Sequence, residues 1–213
     1  MRFCLVVPRT AIGECQRSDF EYVEESWLWR LLNEESFFAE RDFMEKTSRY
    51  VQIIPYTVVC TPISKADLTP DKVLAYRRAS DHTEQRLANN WSLGFGGHID
   101  PEDLKPGMSK YQLITEGRGR ELKEELGVTS FVPFGDSYLL NDLSDEVGSV
   151  HLGVVEQIFI SSPELDPSKF GSEIAELKWV NQAEKTWSLE ELQQLEGWSR
   201  ILVKNLYKVA EEE

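Results

Sequence analysis

An α+β fold, layered as an α/β/α sandwich on a mixed sheet, is predicted by two observations. Strand-like and helical segments intermix along the 213 residues with no regular βαβ repeat. Runs rich in β-branched residues begin only at Tyr50, after an N-terminal stretch of different character. The chain length suits one domain of roughly 150 residues with an appended segment. Residues 1–49 are therefore expected to form a strand and helical extension, and residues 50–213 the main domain with C-terminal helices.

In order along the chain, Phe3 to Pro8 reads as a short strand, Gly13 as a turn, and Asp19 to Lys46 as helical. Over that helical stretch Tyr22, Trp27, Leu28, Leu31, Leu32, Phe37, Phe38 and Phe43 recur at helical spacing and predict a core or interface face. Val51 to Cys60 and Lys72 to Arg78 read as strands around a Pro/Asp loop. The polar connection from Asp81 to Asn90 leads into Trp91 to Asp100. There Gly94, Gly96 and Gly97 mark a place where the backbone passes something closely. A loop with Pro101, Pro106 and Gly107 follows.

Ser109 to Leu126 predicts a helix, Ser109 being its N-cap and Gly127 the residue past its end. Gly117 and Gly119 weaken the first half by up to about 1 kcal/mol each relative to alanine, which predicts close packing there. Strands are expected at Ser137 to Leu140, Val150 to Ile160 and Leu177 to Val180. A helical region from Ser188 to Ala210, broken near Gly197, closes the chain.

Composition excludes several function classes. Asp and Glu outnumber Lys and Arg by 37 to 23, a net charge of -14 with no basic stripe to offset it. That balance disfavours nucleic acid as a partner, because such affinity rests on cations that neutralise phosphates. It leaves open a small anionic substrate held through a bound cation. No stretch approaches the roughly 20 apolar residues of a membrane helix, and the start lacks the features of a secretory signal. Cys4, Cys15 and Cys60 have neither ligand spacing nor an even count, so they read as packing thiols of a soluble, cytoplasmic protein. The aromatic-rich N-terminal stretch suits a homodimer.

The chemistry concentrates in Arg120-Glu121-Leu122-Lys123-Glu124-Glu125-Leu126-Gly127-Val128. Glu121, Glu124 and Glu125 stand at relative positions 0, 3 and 4, one face of a helix, with Leu122 and Leu126 on another. Like charges so placed disfavour the helix by a few tenths of a kcal/mol per pair, on the order of the usual side-chain pair. A divalent cation reverses that sign. Hard ions such as Mg²⁺ take a few carboxylates together with water and phosphate oxygens. Upstream lies the glycine-rich Gly94-Phe95-Gly96-Gly97-His98, where backbone groups can approach a metal or phosphate.

These residues resemble the box of the Nudix hydrolase family, G-x5-E-x7-R-E-U-x-E-E-x-G-U, with U apolar. Its second half is matched in full by Arg120, Glu121, Leu122, Glu124, Glu125, Gly127 and Val128. In the first half Gln112 falls where the glutamate belongs, so Gly97 aligns with the box glycine across an insertion within Asp100 to Lys110. The first glutamate is then missing, and Glu116, one turn before Arg120, is expected to serve as substitute partner for the arginine. Val73 to Arg78 and Glu176 to Val180 are similar to flanking strands of the family, so the resemblance spans roughly Tyr50 to Ala183. The Phe-Gly-Gly-His-Ile-Asp form is similar to bacterial members described as predicted MutT-like phosphoesterases.

The resemblance implies a Nudix-type sandwich and a Mg²⁺-dependent hydrolase, Mn²⁺ being the other candidate ion, that cleaves a phosphoanhydride bond in a small diphosphate. Glu121, Glu124 and Glu125, with the Gly96 carbonyl and Glu156 as further candidates, would hold the metal. Arg120 belongs to the catalytic set, and Arg77, Arg78, Gly97 and His98 would meet substrate. Adjacent strand residues face opposite ways, so only one of Arg77 and Arg78 is expected to point inward. Glu146 and Glu156 are downstream candidates for general base. Two alternatives carry different chemistry. An isopentenyl-diphosphate isomerase would need a cysteine shortly before His98, which Ser92 to Gly97 lacks. A ligand-sensing module without turnover would be expected to lose box glutamates, and all three are present.

Overall fold

The computed structural model describes residues 1–62, 70–79, 89–144, 146–160, 165–182 and 185–211, excepting the side chains of Gln16 and Pro62. The loop expected between the strands at Val51 and Lys72, and most of the connection from Asp81, lie outside these residues. In chain order the elements are β1 (Phe3–Pro8), β2 (Phe20–Val23), α1 (Glu25–Arg30), β3 (Phe37–Glu40), α2 (Arg41–Met44), β4 (Tyr50–Pro62) and β5 (Pro70–Arg78). There follow β6 (Trp91–Ser92), β7 (Gly94–Phe95), α3 (Leu113–Leu126), β8 (Phe131–Leu140), β9 (His151–Ile160), β10 (Ile174–Asn181), α4 (Leu189–Gln193) and α5 (Gly197–Leu206). The strands join in the order β10-β5-β4-β9-β8-β2, with β1 on β4 and β3 on β1. The expected mixed α+β fold is present. No helix among the described residues is long and apolar enough to cross a membrane.

The chain divides into two compact units. The first contains Met1–Tyr56, Gly96–Arg120 and Asp136–Glu156, and the second Thr57–Phe95, Glu121–Gly135 and Gln157–Glu213. In the first, Leu5, Val7, Leu28, Leu32, Val51, Ile53, Ile99, Leu113 and Leu152 are buried in one cluster. In the second, Leu122 and Leu126 of α3 pack on Val59, Leu74, Tyr76, Phe95, Ile158 and Ile160. Burial of a leucine contributes roughly 1.5–3 kcal/mol, so these two fix which face of α3 is turned inward.

The continuous helix expected from Asp19 to Lys46 is corrected. It is broken into two helical pieces: α1, which runs into a π turn at Leu31–Glu35 with Leu28, Leu31 and Leu32 buried, and the one-turn α2. On either side of α1 and its π turn the apolar residues find cross-strand partners instead. β2 pairs antiparallel with β8, Phe20 opposite Leu140 and Val23 opposite Ser137, and Phe20 stacks on Tyr138 at 4.7 Å. β3 pairs with β1, and Phe37 meets Tyr50 edge-on. Long-range pairing of aromatic residues outweighs the local helical spacing.

Other boundaries shift for local reasons. β8 begins at Phe131 rather than Ser137, because Pro133 and the left-handed Gly135 (φ 71°) obscure its strand pattern. The glycine-containing stretch from Trp91 to Asp100 holds two short strands, β6 and β7, with Gly96 to Asp100 outside regular structure. Before α3, Ser109 and Gln112 form a capping box around one 3-10 turn. The C-terminal helix ends at Leu206, and α5 is capped by Glu196, which accepts from Trp198 N–H (2.9 Å) and Ser199 N–H (2.8 Å).

Candidate active site

In the second unit the buried Leu122 and Leu126 leave the glutamates of α3 on its other face. Glu124 is exposed, while Glu121 and Glu125 are half-buried. The helix stops as expected: Gly127 adopts φ 68°, its N–H donates to Lys123 O (3.0 Å) and the Val128 N–H to Leu122 O (3.1 Å). A Cβ at Gly127 would come within 2.7 Å of the Lys169 side chain, a second reason for glycine there.

Glu125 is the unusual member. Its Oε2 is closed off from solvent and has no hydrogen-bond partner. Burial, and then the like charge of Glu121, push its carboxyl up to about 8, against the opposing pull of Arg78. Its backbone is held as well, since the Gly171 N–H donates to Glu125 O at 2.9 Å. Arg78, with a side chain 14% exposed, pairs with Glu173 at 3.6 Å, whereas the more open Arg77 pairs with Glu176 at 3.1 Å.

A buried carboxyl oxygen without a donor, beside like charges, is costly unless something positive satisfies it. That feature fits a divalent cation. Among the described residues no three His, Cys, Asp or Glu side chains already surround one point closely enough to hold an ion. Carboxylate oxygens are the donor type that a hard ion such as Mg²⁺ takes, alongside waters and phosphate oxygens.

The first unit holds the remaining sequence-predicted residues. Arg120 Nε donates to Asp103 Oδ1 at 2.9 Å and Nη2 to Asp103 Oδ2 at 3.2 Å, while Nη2 also donates to the His98 carbonyl at 2.6 Å. Asp103 is buried and accepts the Asp100 N–H at 3.0 Å as well. The first glutamate is absent as expected, but the expectation that Glu116 replaces it as partner of Arg120 is corrected. Glu116 pairs with Lys105, and Asp103 serves Arg120. The signal was present, because Asp103 follows Gly97 at the x5 spacing of the box, with aspartate in place of glutamate. Counting backward from Arg120 across the insertion hid it.

Gly96 is half-buried, and a Cβ on it would stand 1.9 Å from the Pro55 carbonyl oxygen, so only glycine fits. Gly97 is half-buried beside it. Gly117 meets the expected close packing, with Ile99 3.1 Å from its would-be Cβ, whereas Gly119 faces open space. His98 Nε2 lies 2.9 Å from Gln52 Oε1 and 3.2 Å from His151 Nε2. Burial above all, then Arg41 and His151, push the His98 ring down to about 2, which keeps it neutral. Glu156 pairs with Arg118, a residue only 2% exposed that the sequence reading did not single out. Ser137 Oγ donates to Glu156 at 3.4 Å. Glu146 is exposed.

Comparison with known proteins agrees with this picture. No family model matches the chain. It is 31% identical over 216 residues to Protein YmaB of Bacillus subtilis (strain 168), a match covering 93% of this chain and 94% of that protein. Among solved structures it is similar to Tm1382, a proposed Nudix hydrolase, at 26% identity and TM-score 0.71, over 96% of this chain and 97% of the other. A structural match over nearly the full length of both chains, joined to the complete second half of the box on α3 and its cap, decides the question: the chain belongs to the Nudix (MutT-like) hydrolase family.

Proposed function

We propose that this Nudix hydrolase is Mg²⁺-dependent, with Mn²⁺ able to replace Mg²⁺, and splits a phosphoanhydride bond in a small diphosphate. A nucleoside diphosphate linked to another moiety is the class favoured. The observation that carries the reading is the sealed, partnerless Oε2 of Glu125 next to Glu121 on α3. Glu121, Glu124 and Glu125 would hold the ion. When bound, it polarises phosphorus, stabilises charge on the leaving phosphate and lowers the pKa of attached water.

The chain's own residues supply the rest. Burial of Leu122 and Leu126 fixes the rotation of α3, so the three carboxylates are presented without further ordering cost. Arg78, largely buried, offers a fixed cation to substrate phosphate. The proton of the attacking water goes to a glutamate of the helix or to a downstream one, Glu146 or Glu156, of which Glu156 also pairs with Arg118. A cytoplasmic location, a homodimer and the lack of a nucleic-acid partner belong to the same proposal. The net charge of -14 supports the lack of a nucleic-acid partner, the free thiols of Cys4, Cys15 and Cys60 a reducing compartment, and the exposed Tyr22, Trp29, Phe37 and Phe43 a homodimer.

The test is a hydrolysis screen of nucleoside diphosphate derivatives with Mg²⁺ and Mn²⁺, run beside Glu125→Gln and Glu124→Gln. Turnover should fall by about 100-fold or more in each variant, with the melting temperature unchanged or raised. Parental rates in both variants would remove α3 from the reaction. Binding of a diphosphate with no product under any metal would favour the sensing module instead.

A further inference from the structure

Four polar side chains, among them the His98 expected to meet substrate, gather in the first unit, each from a different segment. Cys4 lies on β1, Gln52 on β4, His98 after β7, and His151 at the start of β9. Cys4 and Gln52 are fully buried and His151 is 8% exposed. Gln52 Oε1 accepts from Cys4 Sγ at 3.2 Å and lies 2.9 Å from His98 Nε2, which is in turn 3.2 Å from His151 Nε2.

The protons on these atoms are few. His151 Nδ1 lies 2.7 Å from the Val147 carbonyl, so that nitrogen carries the ring hydrogen and Nε2 presents a lone pair. A single N–H on His98 Nε2 must then serve both the Gln52 oxygen and the His151 nitrogen. The Gln52 amide also turns its oxygen inward at the expense of its own NH₂, which is buried with no partner. An electron-rich point bounded by two imidazole nitrogens and an amide oxygen is stabilised by a cation more than by one shared hydrogen.

The dimensions fit. Imidazole binds zinc at about 2.0–2.1 Å, so two such nitrogens on a tetrahedral ion stand roughly 3.3 Å apart, close to the 3.2 Å found. The Val147 carbonyl on the far nitrogen of His151 is the outer partner that metal-bound histidines usually have. We propose that His98 Nε2, His151 Nε2 and Gln52 Oε1 form a second metal site, selective for a borderline transition ion of the zinc class. Water completes its coordination, and Cys4, whose thiol burial pushes up to about 11, remains a hydrogen-bond donor to Gln52. Imidazole donors prefer zinc, copper or nickel to magnesium, so this site differs in chemistry from the carboxylates of α3 and stands independently of them.

Titration of the chelator-stripped full chain with Co²⁺, followed by Zn²⁺, tests the proposal. The parent should show visible cobalt absorption that about one equivalent of Zn²⁺ abolishes and excess Mg²⁺ does not. The absorption should persist in Glu124→Gln/Glu125→Gln and be lost in His98→Asn and in His151→Asn, with circular dichroism confirming that each variant is folded. Gln52→Glu gives a second, independent reading, since a carboxylate in place of the amide oxygen should tighten zinc binding by about tenfold or more. Absence of cobalt absorption in the parent, its persistence in both histidine variants, or unchanged or weaker zinc binding by Gln52→Glu would overturn the site.

Discussion

Replacement of Asp103 by alanine removes the anchor of Arg120, and the cost can be worked from the contacts. Three hydrogen bonds disappear: two from Arg120, at 2.9 and 3.2 Å, and the cap on the Asp100 N–H at 3.0 Å. Breaking a fully buried ion pair costs roughly 3–5 kcal/mol, chiefly because the surviving charge is stranded. Here the Arg120 side chain keeps 26% exposure and its bond to the His98 carbonyl, so solvent and that oxygen take up part of the loss. The expected destabilisation is about 2–3 kcal/mol. Asp103→Asn retains one acceptor and should lose about 1–2 kcal/mol. Glu116→Ala is the control: its partner Lys105 is 62% exposed, and such a pair contributes about 0–1 kcal/mol. Urea unfolding of the three variants, compared at constant m-value, gives the differences directly. If Asp103→Ala proves no more harmful than Glu116→Ala, Asp103 does not hold Arg120 in solution and its assignment to the box position fails.

Two glycines should respond in opposite directions. Gly96→Ala places a methyl 1.9 Å from the Pro55 carbonyl oxygen and should destabilise by at least about 1–3 kcal/mol, whereas Gly119→Ala, in a helix and facing open space, should stabilise by about 0.5–1 kcal/mol. Thermal melts check both, and a harmless Gly96→Ala would show that the two backbone segments do not meet. Arg118→Met strands the Glu156 carboxylate, itself 20% exposed, and should cost about 2–4 kcal/mol. Most of that loss should return in Arg118→Met/Glu156→Leu, and a fully additive double variant would argue against the pairing.

The features legible in the sequence are those decided within a few residues. Ser109 as a cap, the left-handed Gly127, and the placing of Glu121, Glu124 and Glu125 opposite Leu122 and Leu126 all follow from helix periodicity and end effects. Arg120 to Val128 are also the residues that carry the resemblance to the Nudix box. Periodicity misled where the competing partner was distant: Tyr22 and Phe37 fit a helical stripe but meet Tyr138 and Tyr50 edge-on, across sheet pairings that no local window contains.

The same physics separates the two levels at the site. Choice of glutamate at three positions on one face is a local matter, and the chain itself declared it. Which acid meets Arg120, which charge meets Glu156, and the meeting of His98 with His151 depend on chain segments 17 to 53 residues apart being brought within hydrogen-bond reach. Burial then turns those encounters into obligations, since a desolvated charge or lone pair must find a partner. The sequence alone determined the helix that bears the carboxylates. Only tertiary packing decided that Glu125 would be sealed from water, and with it the strength of its demand for a cation.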